Sequence, residues 1–392
     1  MIKRIKKQQI FLGIFFLLFG IFLYWLNTYH ISPYKVINSS NLAYEKAKVV
    51  EITDSYLEKD SDVDSGYRGT QNLKLEILTG KHQGKLVTSV NTLTRSHNIF
   101  AKAGKTLIVC IDETDVTNHV SVYNYSRSTS LYILVFIFLA LLVIVGDIKG
   151  VKSAISLIFT LACIIFFTVP TIFNGYSPIL ISIITIIMIY AITLLLVDGY
   201  TKKTFVAFCG SAGGVICAGI IFMFSSKILH ISGYNLEEVE PIFLVSVQTG
   251  LQLKYVLFAG VLIAAVGAVL DVAMSIASTL QELYDQNPKI STKQLYRSGL
   301  NVGRDMIGTM SNTLILAYAG GSFGTMILMM AYSVNYQQVI NMDSLVIEIA
   351  QALAGSMGII LTVPIVAWLG SRILTEKSFL NFIRKDKNNC SG

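Results

Sequence analysis

The sequence predicts an α-helical integral membrane protein of about eight transmembrane helices with one small extracytoplasmic all-β domain, an OB- or SH3-like barrel. Three observations predict it. Of 392 residues, 53% are hydrophobic and only 14% charged, and the mean hydropathy is +0.61, far from the balance of soluble domains. Apolar runs recur at the length of about 20 residues that carries a helix across about 30 Å of hydrocarbon. The runs are interrupted once, after the first, by about 100 residues of polar sequence that alternates in the manner of strands.

Residues 1–28 open with Met1-Ile-Lys-Arg-Ile-Lys-Lys7 and continue into an apolar run from Ile10 to Leu26. A basic start before such a run suits a signal peptide or a first anchor. The following Asn27-Thr-Tyr-His30 has no small-x-small cleavage site, and Tyr24, Trp25 and Tyr29 resemble an interfacial aromatic belt, which favours the anchor. Residues 29–130 form the β domain. Its expected strands are Ala43 to Leu57, Gln71 to Leu78, Leu86 to Leu93, Thr106 to Asp112 and Val120 to Tyr125, separated by the glycine turns around Gly66, Gly80, Gly84 and Gly104. Five short strands of this kind suit a small barrel, and the segment is long enough to bury a modest core.

Residues 131–374 are a seven-helix membrane domain, read as Leu131 to Val145, Ala154 to Phe173, Ile179 to Val197, Phe205 to Phe224, Tyr255 to Ser275 or beyond, Met306 to Tyr332, and Val346 to Leu369. Residues 375–392 are a basic tail. With the N-terminus inside, seventeen Lys and Arg fall in cytoplasmic segments against two, Lys227 and Lys254, in short outer loops. The expectation is a cell-membrane protein with both termini cytoplasmic and residues 29–130 outside. The segment Pro241 to Gly250 is apolar but too short to span; it reads as an outer interfacial loop or as a re-entrant half-helix. Pro170 and Pro364 are expected to kink their helices.

The net charge of +7 does not imply nucleic acid, because the basic residues sit in short clusters beside apolar runs, without an aromatic-interleaved face. Of five cysteines only Cys110 lies in the β domain, so no disulfide forms within it, and neither the cysteines nor the dispersed histidines show metal-ligand spacing. Gly210-Ser-Ala-Gly-Gly214 lacks the ending of a phosphate loop and reads as a packing face. No HExxH, GxSxG or SxxK motif is present; neither an enzyme nor a cofactor is expected.

Charged and polar groups within the apolar helices ask for a reason. Asp271, Ser275, Ser278 and Glu282 fall at i, i+4, i+7 and i+11, and so share one helix face. Asp305, Thr309 and Asn312 make a second stripe on the next helix, with Gly308, Gly320 and Gly321 permitting close approach. Taking the intervening segment as a loop of about 20 residues and counting 1.5 Å per residue, a polar seam is expected, with Glu282 paired to Arg304 near the cytoplasmic face and Asp271 beside Asn312. The plainer readings are a solvated helix extension for Asp271 and Glu282, a helix start for Arg304 and Asp305, and an interhelical hydrogen bond for Asn312.

The same residues resemble the YibE/F-like family of bacterial multi-pass membrane proteins. The resemblance lies in Gly267-Ala-Val-Leu-Asp-Val-Ala-Met-Ser-Ile-Ala-Ser278 with Glu282, in Gly303-Arg-Asp-Met-Ile-Gly308 continuing through Asn312-Thr-Leu-Ile-Leu-Ala-Tyr-Ala-Gly320, and in Tyr123-Asn-Tyr-Ser-Arg127. It covers nearly the whole chain and implies an anchor, an extracytoplasmic β region and a helical bundle. Some members carry Leu-Asp-Asp where this chain has Val269-Leu270-Asp271, and His where it has Met306, which argues against a paired-acid or histidine-relay mechanism here. The resemblance names no substrate. The function expected is a permease-like transporter of an unidentified small solute or ion, through the seam of Asp271, Ser275, Ser278, Glu282, Arg304, Asp305 and Asn312. The alternative is a non-transporting scaffold or accessory subunit whose β domain binds an envelope or membrane protein partner.

Overall fold

The computed structural model describes residues 2–30, 42–60, 66–112, 120–232, 253–332 and 334–375, so the segment Pro241 to Gly250 and the tail from residue 376 lie outside the described residues. The chain divides into two compact units, residues 33–141 and the remainder.

The first unit is a five-stranded antiparallel sheet in the order β3-β2-β1-β4-β5. The strands are β1 Leu42–Lys59, β2 Tyr67–Ile77, β3 Leu86–Leu93, β4 Thr106–Asp112 and β5 Val120–Tyr125, within a few residues of the sequence expectation throughout. Alternate residues point inward, and Ala47, Val49, Leu73, Leu75, Ile77, Leu107, Val109 and Ile111 form the core. Strand β1 pairs with β4 through Leu42 to Lys48 and with β2 from Ala47 to Lys59, and two irregularities, after Val49 and after Ile52, let this long central strand bend between its partners. The sheet curls into a half-barrel: Ser89 Oγ on β3 donates to the Val120 carbonyl on β5 at 2.6 Å. The loop between β3 and β4 is tied beneath the sheet by two buried amides. Gln71 donates to Ala101 O and accepts from Ala101 N–H, while Asn91 donates to Gln71 and to Ile99 O. Gly80 serves its turn for two reasons, since its φ is +75° and a Cβ there would strike the Glu45 carboxylate.

All eight predicted apolar runs are helical. Helix α1 spans Ile2–Trp25; α2 spans Ser128–Cys163; a π-helical turn, Ile164–Thr168, leads to α3 at Val169–Phe173; α4 is Pro178–Asp198 and α5 Lys202–Ile228. Then come α6 Leu253–Gln286, α7 Thr292–Gly321, α8 Phe323–Ala331, α9 Tyr336–Ile340 and α10 Asp343–Thr375. Among the described residues five helical stretches are long and apolar enough to cross a membrane, or six if α7 and α8, bent by 55°, make one span. The difference from eight has local causes. The described apolar part of the first run is only Gly13–Thr28, and the second and third runs form one stretch of 46 residues, Ser128–Phe173. Straight, that stretch would be about 70 Å long, twice the hydrocarbon core. It is broken at Asp147, whose φ of 50° is not helical, and beyond the break Gly150 comes so near the Leu142 carbonyl that a Cβ would lie 2.1 Å from it.

Pro170 disturbs its helix in the expected place. Having no N–H, it cannot bond to the carbonyl of Phe166, and the ladder before it loosens into the π-helical turn. The Phe166 carbonyl accepts instead from Asn27 Nδ2 at 2.8 Å, while Phe15, Phe16 and Phe19 of α1 pack around Phe159. The first helix is thereby part of the bundle.

The bundle centre is α10 packed against α5, α6 and α7, with α4 against α5 and α6. Small residues set these crossings. A Cβ on Gly210 would lie 2.2 Å from Val366, one on Gly214 1.8 Å from Thr362 Oγ1, and one on Gly358 2.6 Å from Ala218, so Gly210-Ser-Ala-Gly-Gly214 is the packing face expected. Most buried hydroxyls, including Ser182, Thr185, Ser211 and Thr362, return to carbonyls within their own helices. Basic residues close helix ends: Lys202 donates to the carbonyls of Ile373 and Leu374 at the end of α10, and Lys152 to Val197 O near the end of α4.

Candidate functional site

The candidate polar residues lie on the α6–α7 hairpin. The segment between these helices, expected as a loop of about 20 residues, is helical at both ends and turns through residues 287–291 alone. Ser291 starts α7 with a capping box, its hydroxyl accepting from Gln294 N–H and the Gln294 side chain accepting from Ser291 N–H. So short a turn fixes the register of the hairpin. The Cβ positions of Gly299 and Gly303 on α7 meet Leu280 and Ile276 of α6, and Gly355 of α10 faces both Ala265 and Leu314. These three levels agree on a single antiparallel alignment, in which Asp271 is level with Gly308, Ser275 with Arg304, and Glu282 with Arg297.

That register separates the residues the sequence reading paired. Glu282 lies about 10 Å along the axis from the level of Arg304. It accepts from Gln286 on its own helix at 3.2 Å, and Arg304 donates to Asn301 on its own at 3.5 Å. No ion pair between Glu282 and Arg304 forms, and Asn312 lies about 6 Å above the level of Asp271.

Rotation separates them further. Ile276 and Leu280, which meet α7, are on the side of α6 opposite Asp271. The exposed sector of α6 holds Gly260, Ala264, Gly267, Asp271 and Glu282, with Ser275 and Ser278 half-buried along it. On α7 the packed face is Leu295, Gly299 and Gly303, and the exposed sector holds Asn301, Arg304, Asp305, Gly308, Thr309 and Asn312. The two stripes therefore exist as polar faces turned to the outside of the bundle, and the seam expected between the helices is filled by Ile276, Leu280 and the two glycines. Gly260, Gly267 and Gly308 have nothing within 4 Å of an added Cβ.

Two groups were missed in the sequence. Tyr190 of α4 is fully buried, donates to the Val266 carbonyl of α6 at 3.2 Å and lies within electrostatic reach of Asp271. A tyrosine in an isoleucine-rich run gives no signal of that contact. Glu348 of α10 lies within reach of the Tyr318 phenol, and both line a cavity of about 120 Å³ with Ser322, beside the bend between α7 and α8. A carboxylate inside the run from Val346 to Leu369 was the available sign. Among the described residues, no group of three His, Cys, Asp or Glu could hold a metal ion.

Chemically, the outward faces of α6 and α7 offer carboxylates, a guanidinium, amides and hydroxyls within helices otherwise built for an apolar surround. Residues 134–376 match the model of the YibE/F-like protein family, and residues 42–125 match that of the YibE/F family N-terminal domain. No curated protein and no solved structure matches the chain. The two matched segments together take in the β sheet and the helices from α2 to α10, and the chain belongs to the YibE/F-like family.

Proposed function

We propose that this protein is a multi-pass protein of the cell membrane, with cytoplasmic termini and an extracytoplasmic β domain, that acts as a permease-like transporter of a small solute or ion along the polar faces of α6 and α7. The observation that carries the reading is the outward position of Asp271 in α6, a helix of spanning character, and of Arg304 and Asp305 in α7, which has that character together with α8. A charge facing hydrocarbon costs about 2.5 to 3.5 kcal/mol on insertion scales, so outward charges on these helices argue for a wet surround. The lysine and arginine distribution supports the orientation, and the contacts of Asn27 and the α1 phenylalanines support a retained anchor. For the β unit, the strand order and the Ser89–Val120 closure support an OB-like, partly open barrel.

The test is proton flux into proteoliposomes carrying an entrapped pH-sensitive dye, with and without a sodium gradient. Asp271→Asn and Arg304→Ala are expected to lower the flux at least tenfold. Flux unchanged by both substitutions removes the transport reading. The scaffold reading is favoured by the aromatic outer face of the sheet, where Tyr44, Tyr56 and Tyr123 are exposed. It predicts that deletion of residues 29–130 abolishes the cellular phenotype while the α6 and α7 substitutions are tolerated.

A further inference from the structure

The outward face of α7 is unlike the exposed faces of the apolar helices. Asn301, Asp305, Gly308 and Asn312 fall at i, i+4, i+7 and i+11, with Arg304 on their flank, and all are exposed. The stripe runs about 16 Å along the axis, and Arg304 is about 10 Å above the level of Glu282. Asn301, Arg304 and Asp305 precede the apolar run that begins at Met306, and Asn312 lies within it, where a lipid chain cannot satisfy an amide.

We propose that this face is the contact between two copies of the chain, related by a two-fold axis parallel to α7. Such an axis sets each residue against its own level on the partner helix. The stripe is complementary to itself under that operation. Arg304 and Asp305 are adjacent and of opposite sign, so each copy presents its guanidinium to the other's carboxylate with an axial offset of about 1.5 Å. Asn301 and Asn312 meet their own counterparts, and an amide is both donor and acceptor, so each can pair with itself. Between them lies Gly308, where an added Cβ meets nothing within 4 Å, which leaves room for a second backbone to approach. The charges on the stripe cancel, which selects neither an acidic nor a basic partner and leaves a second copy as the occupant that fits every position. The inference goes beyond the transport reading and stands without it.

The experiment measures association of the full chain by energy transfer between donor- and acceptor-labelled copies in phosphatidylethanolamine/phosphatidylglycerol vesicles, at falling protein-to-lipid ratio. Gly308→Leu is expected to weaken pairing about tenfold or more with unchanged thermal unfolding, since the added side chain meets open space within one copy. Gly13→Leu on α1, whose surroundings are equally open, is expected to leave pairing unchanged. Arg304→Asp and Asp305→Arg are each expected to weaken self-pairing, while a mixture of the two variants pairs as well as the unaltered protein, because one then presents two carboxylates and the other two cations. The proposal is overturned by a monomer at every ratio, by pairing indifferent to Gly308→Leu, or by a mixture that pairs no better than either variant alone. Lost flux with intact pairing, or the reverse, separates this proposal from the transport reading.

Discussion

Helices α4 and α6 lie against each other, yet their outward faces are built from opposite materials. Helix α4 turns Leu180, Ile183, Ile184 and Ile187 outward, each between 38% and 55% exposed. Helix α6 turns out Gly260, Ala264, Gly267, Asp271 and Glu282, and its neighbour α7 turns out Asn301, Asp305, Gly308 and Asn312. The inner faces of the same helices do not differ in this way, since each buries aliphatic residues, joined by serine, threonine and tyrosine on α4, alanine on α6 and glycine on α7. On the proposed membrane reading, what distinguishes them is the medium outside the bundle. Lipid rewards isoleucine and leucine and penalises a carboxylate, so the outward face of α4 is composed for hydrocarbon and those of α6 and α7, which point away from each other, for water, a ligand or protein.

The sharpest way to break this comparison is to exchange the materials. Ile187→Asp places a charge on the α4 face at a position 45% exposed. It is expected to cost about 3 kcal/mol of insertion or folding free energy, the scale for an acid at a helix centre. Yield of membrane-integrated protein checks it, and a yield equal to that of the unaltered chain would show that the α4 face does not meet lipid.

A second substitution asks whether the α7 faces are assigned to the correct sides. Gly303 belongs to the packed side, where a Cβ would lie 2.2 Å from Val363 and 3.1 Å from Ile276. Gly303→Leu is expected to destabilise the bundle by about 1 to 3 kcal/mol through overpacking. Thermal unfolding in a mild detergent measures the loss, and no loss at Gly303 would mean that α7 is rotated from the orientation described.

Much of this architecture was legible in the sequence, and the part that was not has a definite physical origin. The strands showed themselves because a half-buried sheet needs a period of two and its turns need glycine, as at Gly80, Gly84 and Gly104. The helices showed themselves because the apolar runs have spanning length. The polar stripes were also visible as stripes. Their partners were not, because register depends on where the chain turns, and the turn at residues 287–291 hides in a polar stretch that is helical at both ends. A capping box, Ser291 with Gln294, marked the start of α7 at the sequence level. Rotation was marked too: Leu295, Gly299 and Gly303 repeat at intervals of four, and the glycines that pack lie on the side away from the polar residues. Two adjacent helices with polar stripes suggest a seam between them, but Ile276 and Leu280 opposite one stripe and Gly299 and Gly303 opposite the other carry the packing and turn the stripes outward.

The smallest expected effect is the most discriminating. Asp271 makes no contact that holds α6 to its neighbours; the helix is fixed by Ile276, Leu280, Val269 and Leu262 against α5, α7 and α10. Asp271→Leu therefore removes a charge without opening a cavity. On a wet or protein-covered face the change in stability is expected to stay within about 0.5 kcal/mol, as for surface substitutions that touch no special feature. On a face bathed by lipid the same substitution relieves a charge from hydrocarbon and stabilises the protein by a larger amount. Thermal unfolding in lipid bicelles distinguishes the two, with Ile187→Leu as a reference on the α4 face. A rise well beyond that of the reference would place Asp271 in lipid and dissolve the distinction between the α4 and α6 faces; an unchanged midpoint would keep it.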